Sequence, residues 1–249
     1  MSILQNAVDS IIMGLEDLNS EDEKRILSCV RNLYAGMLLL FKYKLVELSP
    51  PGSDEVLIKT KVLPVYINGQ IQWRGNGKST LDVRQIKERF LSLNIDVDWK
   101  KIEKIQNYRN DIEHYFDTKD NNYDELKMMI FDTFLIINKF IANYLDEEAF
   151  DLFDELKDGY QNFVEQFIYE KYGSEIHLAI KDGGDLPVSR CPNCYEETFL
   201  YDEGFCMYCS NKISRFECQF CHDTITPEDM DSFPMCSYCA YKWQKAQNE

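Results

Sequence analysis

Apolar residues recur every three or four positions through the first part of the chain, which is the spacing of amphipathic helices. One helix is predicted over residues 3–17. A second is predicted to run to about Glu47, because two prolines and a glycine follow at 50–52. Ser20 and Glu23 have the spacing of a capping box, so we expect them at the start of this second helix.

The pattern changes between residues 56 and 73, where β-branched residues alternate with others around Asn68 and Gly69. An Asn-Gly pair between two such runs predicts a β-hairpin. Helical spacing then returns and predicts helices over 81–93, 99–116, 123–145 and 150–172. The glycines and proline of residues 182–187 predict a linker. The fold class is therefore predicted to be mainly α, a helical bundle with an inserted β-hairpin.

Eight of the nine cysteines lie in the last quarter of the chain as four Cys-x-x-Cys pairs. The pairs are Cys191 and Cys194, Cys206 and Cys209, Cys218 and Cys221, and Cys236 and Cys239. Two such pairs together form the tetrahedral thiolate shell that suits Zn(II). About 60 residues surround these cysteines, too few for a large core, so metal binding would supply folding free energy there. The sequence predicts two structural zinc ions in tandem zinc ribbons.

The four pairs can be used in sequence or interleaved, as in cross-brace modules. Intervals of 11 and 14 residues inside the two quartets favour sequential use, since they suit a ribbon hairpin. His222 follows Cys221 and is expected to be a bystander, because four thiolates already complete each shell. Disulfides are the weaker interpretation, as Cys-x-x-Cys loops are short for structural bridges. Cys29, in the second predicted helix, is expected to be a buried apolar residue.

The chain carries a net charge of −16, which at first argues against a nucleic acid partner. The charge is unevenly distributed, since residues 56–109 hold 11 basic and 5 acidic side chains. The cysteine region is acidic, and its aromatic residues are expected to form a small core around the metals. These aromatics are Tyr195, Phe205, Tyr208, Phe220, Tyr238 and Trp243. No apolar run is long enough to cross a membrane, so a cytoplasmic protein without a membrane partner is expected.

The helix predicted over 99–116 contains Arg109, Asn110 and His114. Asn110 and His114 share one helix face, away from the apolar stripe, and Arg109 lies at the border of that stripe. The three residues resemble the motif of the HEPN superfamily (higher eukaryotes and prokaryotes nucleotide-binding). Ribonuclease members of that superfamily carry Arg, a polar residue, three further residues and His. The resemblance covers roughly residues 1–150 and implies a HEPN-like helical bundle that forms a homodimer, with two motifs facing each other in a composite active site.

The chemistry of such a site needs no metal ion. RNA is cleaved when its 2′-hydroxyl attacks the adjacent phosphorus, which requires proton transfer and stabilisation of the extra phosphoryl charge. His114 titrates near neutral pH and would move the protons, while Arg109 would bind the scissile phosphate. Asn110 would orient His114 or a phosphate oxygen. The resemblance therefore implies a metal-independent endoribonuclease, a toxin or antiviral defence effector with RNA as its substrate.

Basic residues that precede the motif are predicted to bind the rest of the RNA, with Trp73 and Trp99 nearby for stacking on bases. These basic residues are Lys78, Arg84, Lys100, Lys101 and Lys104. Residues 75–80 imitate the end of a phosphate-binding loop, but Gln72 stands where that loop needs glycine and no parallel sheet is predicted. Nucleotide hydrolysis is therefore not expected.

The predicted organisation is a HEPN-like helical domain over 1–150, a helical extension and linker over 151–188, and the zinc ribbons over 189–249. Two other functions stay open. The bundle can be a non-catalytic dimerising adaptor whose zinc ribbons bind a protein partner, an inhibitor or a nucleic acid. The chain can also be a zinc-ribbon transcription factor, although the acidic ribbons count against that function. In a purely structural interpretation, Arg109 and His114 pair with the nearby carboxylates of Asp111, Glu113 or Asp117.

Overall fold

The computed structural model describes residues 2–18, 20, 22, 24–115, 123–147, 149–153, 158–182, 187–191, 193–200, 203–212, 216–218, 220–222, 224–225, 230–232 and 235–247. The chain divides into two compact units, Met1–Leu145 and Asp146–Glu249. The first unit ends close to the predicted boundary at residue 150. The predicted extension over 151–188 lies in the second unit, together with the cysteine region. Among the described helices, none has both the length and the apolar content that a membrane span requires.

Two long helices open the first unit and pack along each other, α1 (Ile3–Leu18) and α2 (Arg25–Glu47). Glycine permits their close approach. A Cβ atom on Gly36 would lie 2.5 Å from Cγ1 of Ile11 and 3.0 Å from the carbonyl oxygen of Ala7. Any larger residue at position 36 would therefore push the two helices apart.

A buried carboxylate ties the end of α1 to the start of α2. Asp17 is 3% exposed and accepts hydrogen bonds from Nε of Arg25 at 2.7 Å and from Nδ2 of Asn32 at 3.1 Å. The helix begins at Arg25 with no side-chain cap. Ser20, predicted to open the capping box, lies five positions before Arg25, and its predicted partner Glu23 lies outside the described residues.

Three further helices complete the first unit: α3 (Val83–Ser92), α4 (Trp99–Tyr115) and α5 (Tyr123–Tyr144). An aromatic cluster joins them to α2. The ring centroid of Phe41 lies 5.2 Å from that of Phe90 and 4.7 Å from that of Phe140. Trp99 packs on the same cluster, 5.9 Å from Phe90. Trp99 is half-buried by these contacts, and its stacking on RNA bases stays a prediction.

The inserted hairpin has the predicted turn. Strand β1 (Lys59–Ile67) pairs antiparallel with β2 (Gln70–Thr80). Asn68 and Gly69 have φ values of 49° and 81°, the left-handed conformations that a type I′ turn requires. Most positions of both strands are exposed, including Trp73 at 59%. The prediction of a mainly helical fold with an inserted hairpin is confirmed.

The second unit begins with a short helix, α6 (Ala149–Leu152), and a long one, α7 (Asp158–Asp182). The single helix predicted over 150–172 is therefore two helices, and the longer one reaches Asp182, where the linker was expected to begin. Tyr160, near the start of α7, is fully buried and packs against Phe153, with ring centroids 5.1 Å apart. This contact anchors the start of α7 in the core of the second unit. Residues 183–186 of the predicted linker lie outside the described residues.

Short strands and one helix form the cysteine region: β3 (Val188–Ser189), β4 (Phe199–Leu200), β5 (Phe205–Cys206), β6 (Phe216–Glu217), β7 (Thr224–Ile225), β8 (Met230–Ser232), β9 (Met235–Cys236) and α8 (Ser237–Gln247). Strands β3, β4 and β5 form one antiparallel sheet, while β6 pairs with β7 and β8 with β9. Strands of two or three residues are too short to be stable alone. They require support from bound metal or from packing.

Candidate functional site

The motif begins near the C-terminal end of α4, which buried Ile102 and Ile105 hold against the core. Arg109 and Asn110 are both half-buried. Nη1 of Arg109 donates a hydrogen bond to Oδ1 of Asn110 at 3.1 Å. This bond places the guanidinium beside the amide of Asn110. It uses Oδ1 of that amide and not the Nδ2 hydrogens.

Tyr34 of α2 is a neighbour of Arg109 that the sequence did not identify. Its ring is buried, and its hydroxyl makes no hydrogen bond within the described part of the chain. Burial raises the pKa of Tyr34 to about 12, and the positive charge of Arg109 opposes that increase. The guanidinium therefore lies within electrostatic reach of the hydroxyl, where α4 packs on α2.

His114 lies on the last turn of α4, four positions after Asn110. Its backbone is helical, but its side chain, like those of Asp111 and Glu113, lies outside the described residues. Asp117 lies outside them altogether, as do all of residues 116–122. The proposed pairing of Arg109 with these carboxylates therefore stays a prediction.

Two of the residues predicted to bind RNA already have carboxylate partners. Nζ of Lys101 lies 3.3 Å from Oδ1 of Asp132. Nζ of Lys104 lies 3.7 Å from Oε1 of Glu125. A phosphate would have to compete with these carboxylates, so each lysine offers less to RNA than its charge alone indicates.

The other three predicted RNA-binding residues are more available. The side chain of Arg84 is 87% exposed, and its ion pair among the described residues is with Glu88 of the same helix, at 3.3 Å. Lys78 on β2 and Lys100 at the start of α4 are exposed, and neither forms an ion pair with any residue that the structure describes. Lys78 and Lys100 are therefore the stronger candidates for phosphate contacts.

Residues 75–80, which imitate a phosphate-binding loop, form part of strand β2. A Cβ atom on Gly75 would lie 2.2 Å from the carbonyl oxygen of Asp54, so the backbone contact at this position requires glycine. Gly77 has a φ of 82° beside the register shift between Lys59 and Lys61. Both glycines therefore serve the geometry of the hairpin, and the described strands pair only in antiparallel fashion.

The first cysteine cluster consists of Cys191, Cys194, Cys206 and Cys209, whose sulfurs all lie within 4.8 Å of one another. The Sγ atoms of Cys191 and Cys209 are 3.7 Å apart, as are those of Cys194 and Cys206. A tetrahedral shell with metal–sulfur bonds of about 2.3 Å places its sulfurs about 3.8 Å apart. The first cluster thus has the spacing needed to hold a metal ion such as zinc.

The second cysteine cluster consists of Cys218, Cys221, Cys236 and Cys239, again within 4.8 Å of one another. The Sγ atoms of Cys221 and Cys236 are 3.8 Å apart. The two clusters use the cysteine pairs in sequence, as the intervals predicted, and not interleaved. The group of side chains that could hold a metal consists of the four thiols and does not include His222, which is exposed.

Three of the four Cys-x-x-Cys turns share one backbone geometry. The residue after the second cysteine has a positive φ, 63° at Tyr195, 56° at Ser210 and 61° at His222. Its N–H donates to the carbonyl oxygen of the first cysteine of the pair at 2.8, 3.0 and 2.9 Å, respectively. Non-glycine residues adopt this conformation at a cost of about 1–3 kcal/mol. A metal bound by both cysteines of the turn would offset that cost.

The thiols of the first cluster influence one another's pKa values through hydrogen bonds and charge. The hydrogen bond with Cys209 raises the pKa of Cys206, and the same bond lowers the pKa of Cys209. Burial raises the pKa of Cys194 to about 12. A divalent cation bound by the four sulfurs would favour their ionisation and release protons.

The aromatic residues of the cysteine region divide into two groups. Phe205 is buried, and Tyr208 packs against the first cluster, as a small core predicts. Tyr195, Phe220 and Tyr238 are instead exposed, so the expectation of a core role is wrong for them. The side chain of Trp243 lies outside the described residues.

Comparison with models of known protein families, with curated proteins and with solved structures gives no match to this chain. Its function therefore has to be argued from the geometry and chemistry of its own residues.

Proposed function

We propose that the chain is a metal-independent endoribonuclease of the HEPN type, acting as a toxin or antiviral defence effector. The observation that carries the proposal is the hydrogen-bonded pair of Arg109 and Asn110 near the end of α4, one turn before His114. A permanent cation, an amide and an imidazole on adjacent helical turns supply the groups that transesterification of RNA requires.

In the proposed reaction, Arg109 binds the non-bridging oxygens of the scissile phosphate and stabilises the additional negative charge that develops there. Asn110 holds the guanidinium in place through the 3.1 Å hydrogen bond. His114 transfers the protons, taking one from the 2′-hydroxyl or donating one to the departing 5′-oxygen. The bond from phosphorus to the 2′-oxygen forms as the bond to the 5′-oxygen breaks, which leaves a 2′,3′-cyclic phosphate and a 5′-hydroxyl.

The reaction needs both an acceptor and a donor of protons, whereas each chain supplies one histidine in this motif. A homodimer that brings two motifs together would supply the second. Phosphates on either side of the cleaved bond would contact Lys78 and Lys100, two exposed cations without a carboxylate partner among the described residues.

The second unit, in this proposal, holds two zinc ions with a structural role. Each cluster offers four sulfur ligands to one ion, which completes a tetrahedral shell and leaves no open position for a substrate. Zinc would then stabilise the short strands of the cysteine region and take no part in RNA cleavage.

The experiment that tests the proposal is cleavage of total RNA and tRNA by the purified, zinc-loaded protein in the presence of EDTA, with bound zinc measured before and after. Arg109→Ala and His114→Ala are each expected to lower the cleavage rate by about 100-fold or more. Arg31→Ala, an exposed arginine on α2, is the matched control and should cleave normally. Cleavage that persists in both motif variants would exclude the proposed mechanism.

One observation favours a second candidate, a non-catalytic adaptor. Arg109 is half-buried and interacts with Tyr34, so it also has a structural place between α2 and α4. In an adaptor, Arg109→Ala would lower the stability of the first unit, and the purified protein would cleave no RNA. In a ribonuclease, the wild-type protein cleaves RNA and Arg109→Ala does not, so cleavage by the wild type distinguishes the two functions.

A further inference from the structure

A cleft of about 620 Å³ lies in the second unit, between α7 and the first cysteine cluster. One wall comes from α7 and includes Glu165, Tyr169 and His177. The other comes from the chain around the first Cys-x-x-Cys turn and includes Arg190, Tyr195 and Glu196. Its volume is that of a site for a ligand or for a few side chains of a peptide.

Two tyrosines face solvent at this cleft, one from each wall. Tyr169 is 78% exposed and Tyr195 is 73% exposed, although both are large aromatic residues. Packing within the chain therefore does not explain either ring. Exposed aromatic rings that line an acidic cleft are suited to bind a cation such as a guanidinium or an ammonium group.

The charges of the cleft favour the same kind of ligand. The carboxylates of Glu165, Glu196 and Glu197 outnumber its single arginine. Arg190 is paired with Glu197 at 3.9 Å, so these two charges offset each other. The carboxylates of Glu165 and Glu196 then give the walls their excess negative charge. Glu165 accepts a hydrogen bond from Nε2 of Gln161 at 3.2 Å.

The surroundings add a long-range attraction for cations. Residues 146–249 contain 22 acidic and 8 basic side chains, a net charge of −14 out of −16 for the whole chain. A four-thiolate shell around each divalent metal ion would make this region more negative still. Such a field attracts a basic partner and repels nucleic acid.

The metal-binding turn fixes one wall of the cleft. The N–H of Tyr195 donates to the carbonyl oxygen of Cys191 at 2.8 Å, and the N–H of Cys191 donates to the carbonyl oxygen of Glu196 at 2.7 Å. Tyr195 and Glu196 are thus held by the same turn that presents two sulfurs to the metal. Loss of that metal would release the wall.

We propose that this cleft binds a basic peptide segment of a partner protein, with an arginine or lysine side chain between Tyr169 and Tyr195 and its charge near Glu165 and Glu196. The site lies wholly within the second unit. It is therefore independent of the ribonuclease chemistry proposed above, and it rests on metal binding by the first cysteine cluster.

The test uses the full-length, zinc-loaded protein and a fluorescein-labelled peptide of seven residues in which glycine and arginine alternate. Binding is measured by fluorescence anisotropy at physiological salt. We expect the arginine peptide to bind saturably and the matching glycine–glutamate peptide not to bind. Tyr169→Ala should weaken binding about fivefold, whereas Tyr169→Phe, which keeps the ring, should stay within about twofold of the wild type. Glu196→Gln should also weaken binding. Glu147→Gln, an equal charge change at an exposed position of the same unit, is the control.

Three results would overturn the proposal: no saturable binding of the arginine peptide, equal weakening by Glu147→Gln and Glu196→Gln, or full binding by Tyr169→Ala. The second would show that overall acidity attracts the peptide and that the cleft does not. Binding of a labelled RNA that Tyr169→Ala abolishes would assign the cleft to nucleic acid instead. Because Tyr169 is exposed, circular dichroism and zinc content of its variants should match the wild type, which separates a loss of binding from a loss of folding.

Discussion

The hydroxyl of Tyr160 donates a hydrogen bond to the carbonyl oxygen of Met207 at 2.8 Å, inside the second unit. Tyr160 belongs to α7, and Met207 lies between two cysteines of the first cluster. Both residues are fully buried. The ring of Tyr160 also stacks on Tyr208 of the same turn, with centroids 6.1 Å apart. The first cysteine cluster is therefore built onto α7 and is not an independent ribbon.

Tyr160→Phe should destabilise the second unit, because it leaves a buried carbonyl oxygen without its donor. We expect a loss of about 1–2 kcal/mol in the free energy of unfolding, measured by urea denaturation of the zinc-loaded protein. Tyr169→Phe removes the same hydroxyl from an exposed ring and should change stability by less than about 0.5 kcal/mol. Equal effects of the two substitutions would show that the buried bond has no special role.

Cys209→Ser should remove one metal ion from the chain and leave the other. The two clusters share no ligand, so loss of a sulfur from the first leaves the second complete. We expect two zinc ions per chain in the wild type and one in Cys209→Ser, measured by native mass spectrometry. Cys29→Ala should retain both, because Cys29 is fully buried in α2 and belongs to neither cluster. A wild-type protein that binds fewer than two ions would refute the assignment.

Much of the fold could be predicted because its signals are local. The Asn68–Gly69 turn needs only its own two backbone conformations, and the end of α2 at Glu47 follows from the prolines that come next. The cysteine grouping was predictable because intervals along the chain restrict which pairs can share a metal. The ion pair between Asp17 and Arg25 was not predictable, because it joins the end of α1 to the start of α2 and has no local signal in the sequence.

Gly75→Ala should destabilise the first unit, because its Cβ would lie 2.2 Å from the carbonyl oxygen of Asp54 and the backbone would have to move. We expect a loss of about 1–3 kcal/mol in urea unfolding, typical of overpacking. Gly173→Ala is the control. The position is helical and a Cβ there meets nothing closer than 3.9 Å, so that variant should be neutral or slightly more stable. A stable Gly75→Ala protein would reopen the question of why glycine occurs there.

Lys100→Ala should weaken binding of single-stranded RNA and lower its salt dependence by about one unit of slope, as expected for one lost phosphate contact. Lys101→Ala should have a smaller effect, since that lysine is paired with Asp132. The measurement is a titration of labelled RNA at several salt concentrations with the protein in a non-cleaving His114→Ala background. The opposite ranking of the two lysines would contradict the proposed surface.

The candidate active site was only partly predictable. Asn110 and His114 could be linked from the sequence because positions four apart share a helix face, and Arg109 directly precedes Asn110. Tyr34 was not foreseen, because it is distant in sequence and meets Arg109 only where α2 packs on α4. The pairing of Lys101 with Asp132 was hidden for the same reason, since it joins α4 to α5. Contacts between helices carry no local signal in a single sequence.

The most direct test of the central claim uses an RNA oligonucleotide with one cleavage site, prepared with either a ribose or a 2′-deoxyribose immediately before the broken bond. Transesterification by Arg109 and His114 requires the 2′-hydroxyl as nucleophile. The account predicts cleavage of the all-ribose oligonucleotide to a 2′,3′-cyclic phosphate product, and none at the deoxy position. It also predicts that Arg109→Ala cleaves neither. Cleavage of the deoxy oligonucleotide at the same bond, or equal activity of Arg109→Ala, would contradict the claim.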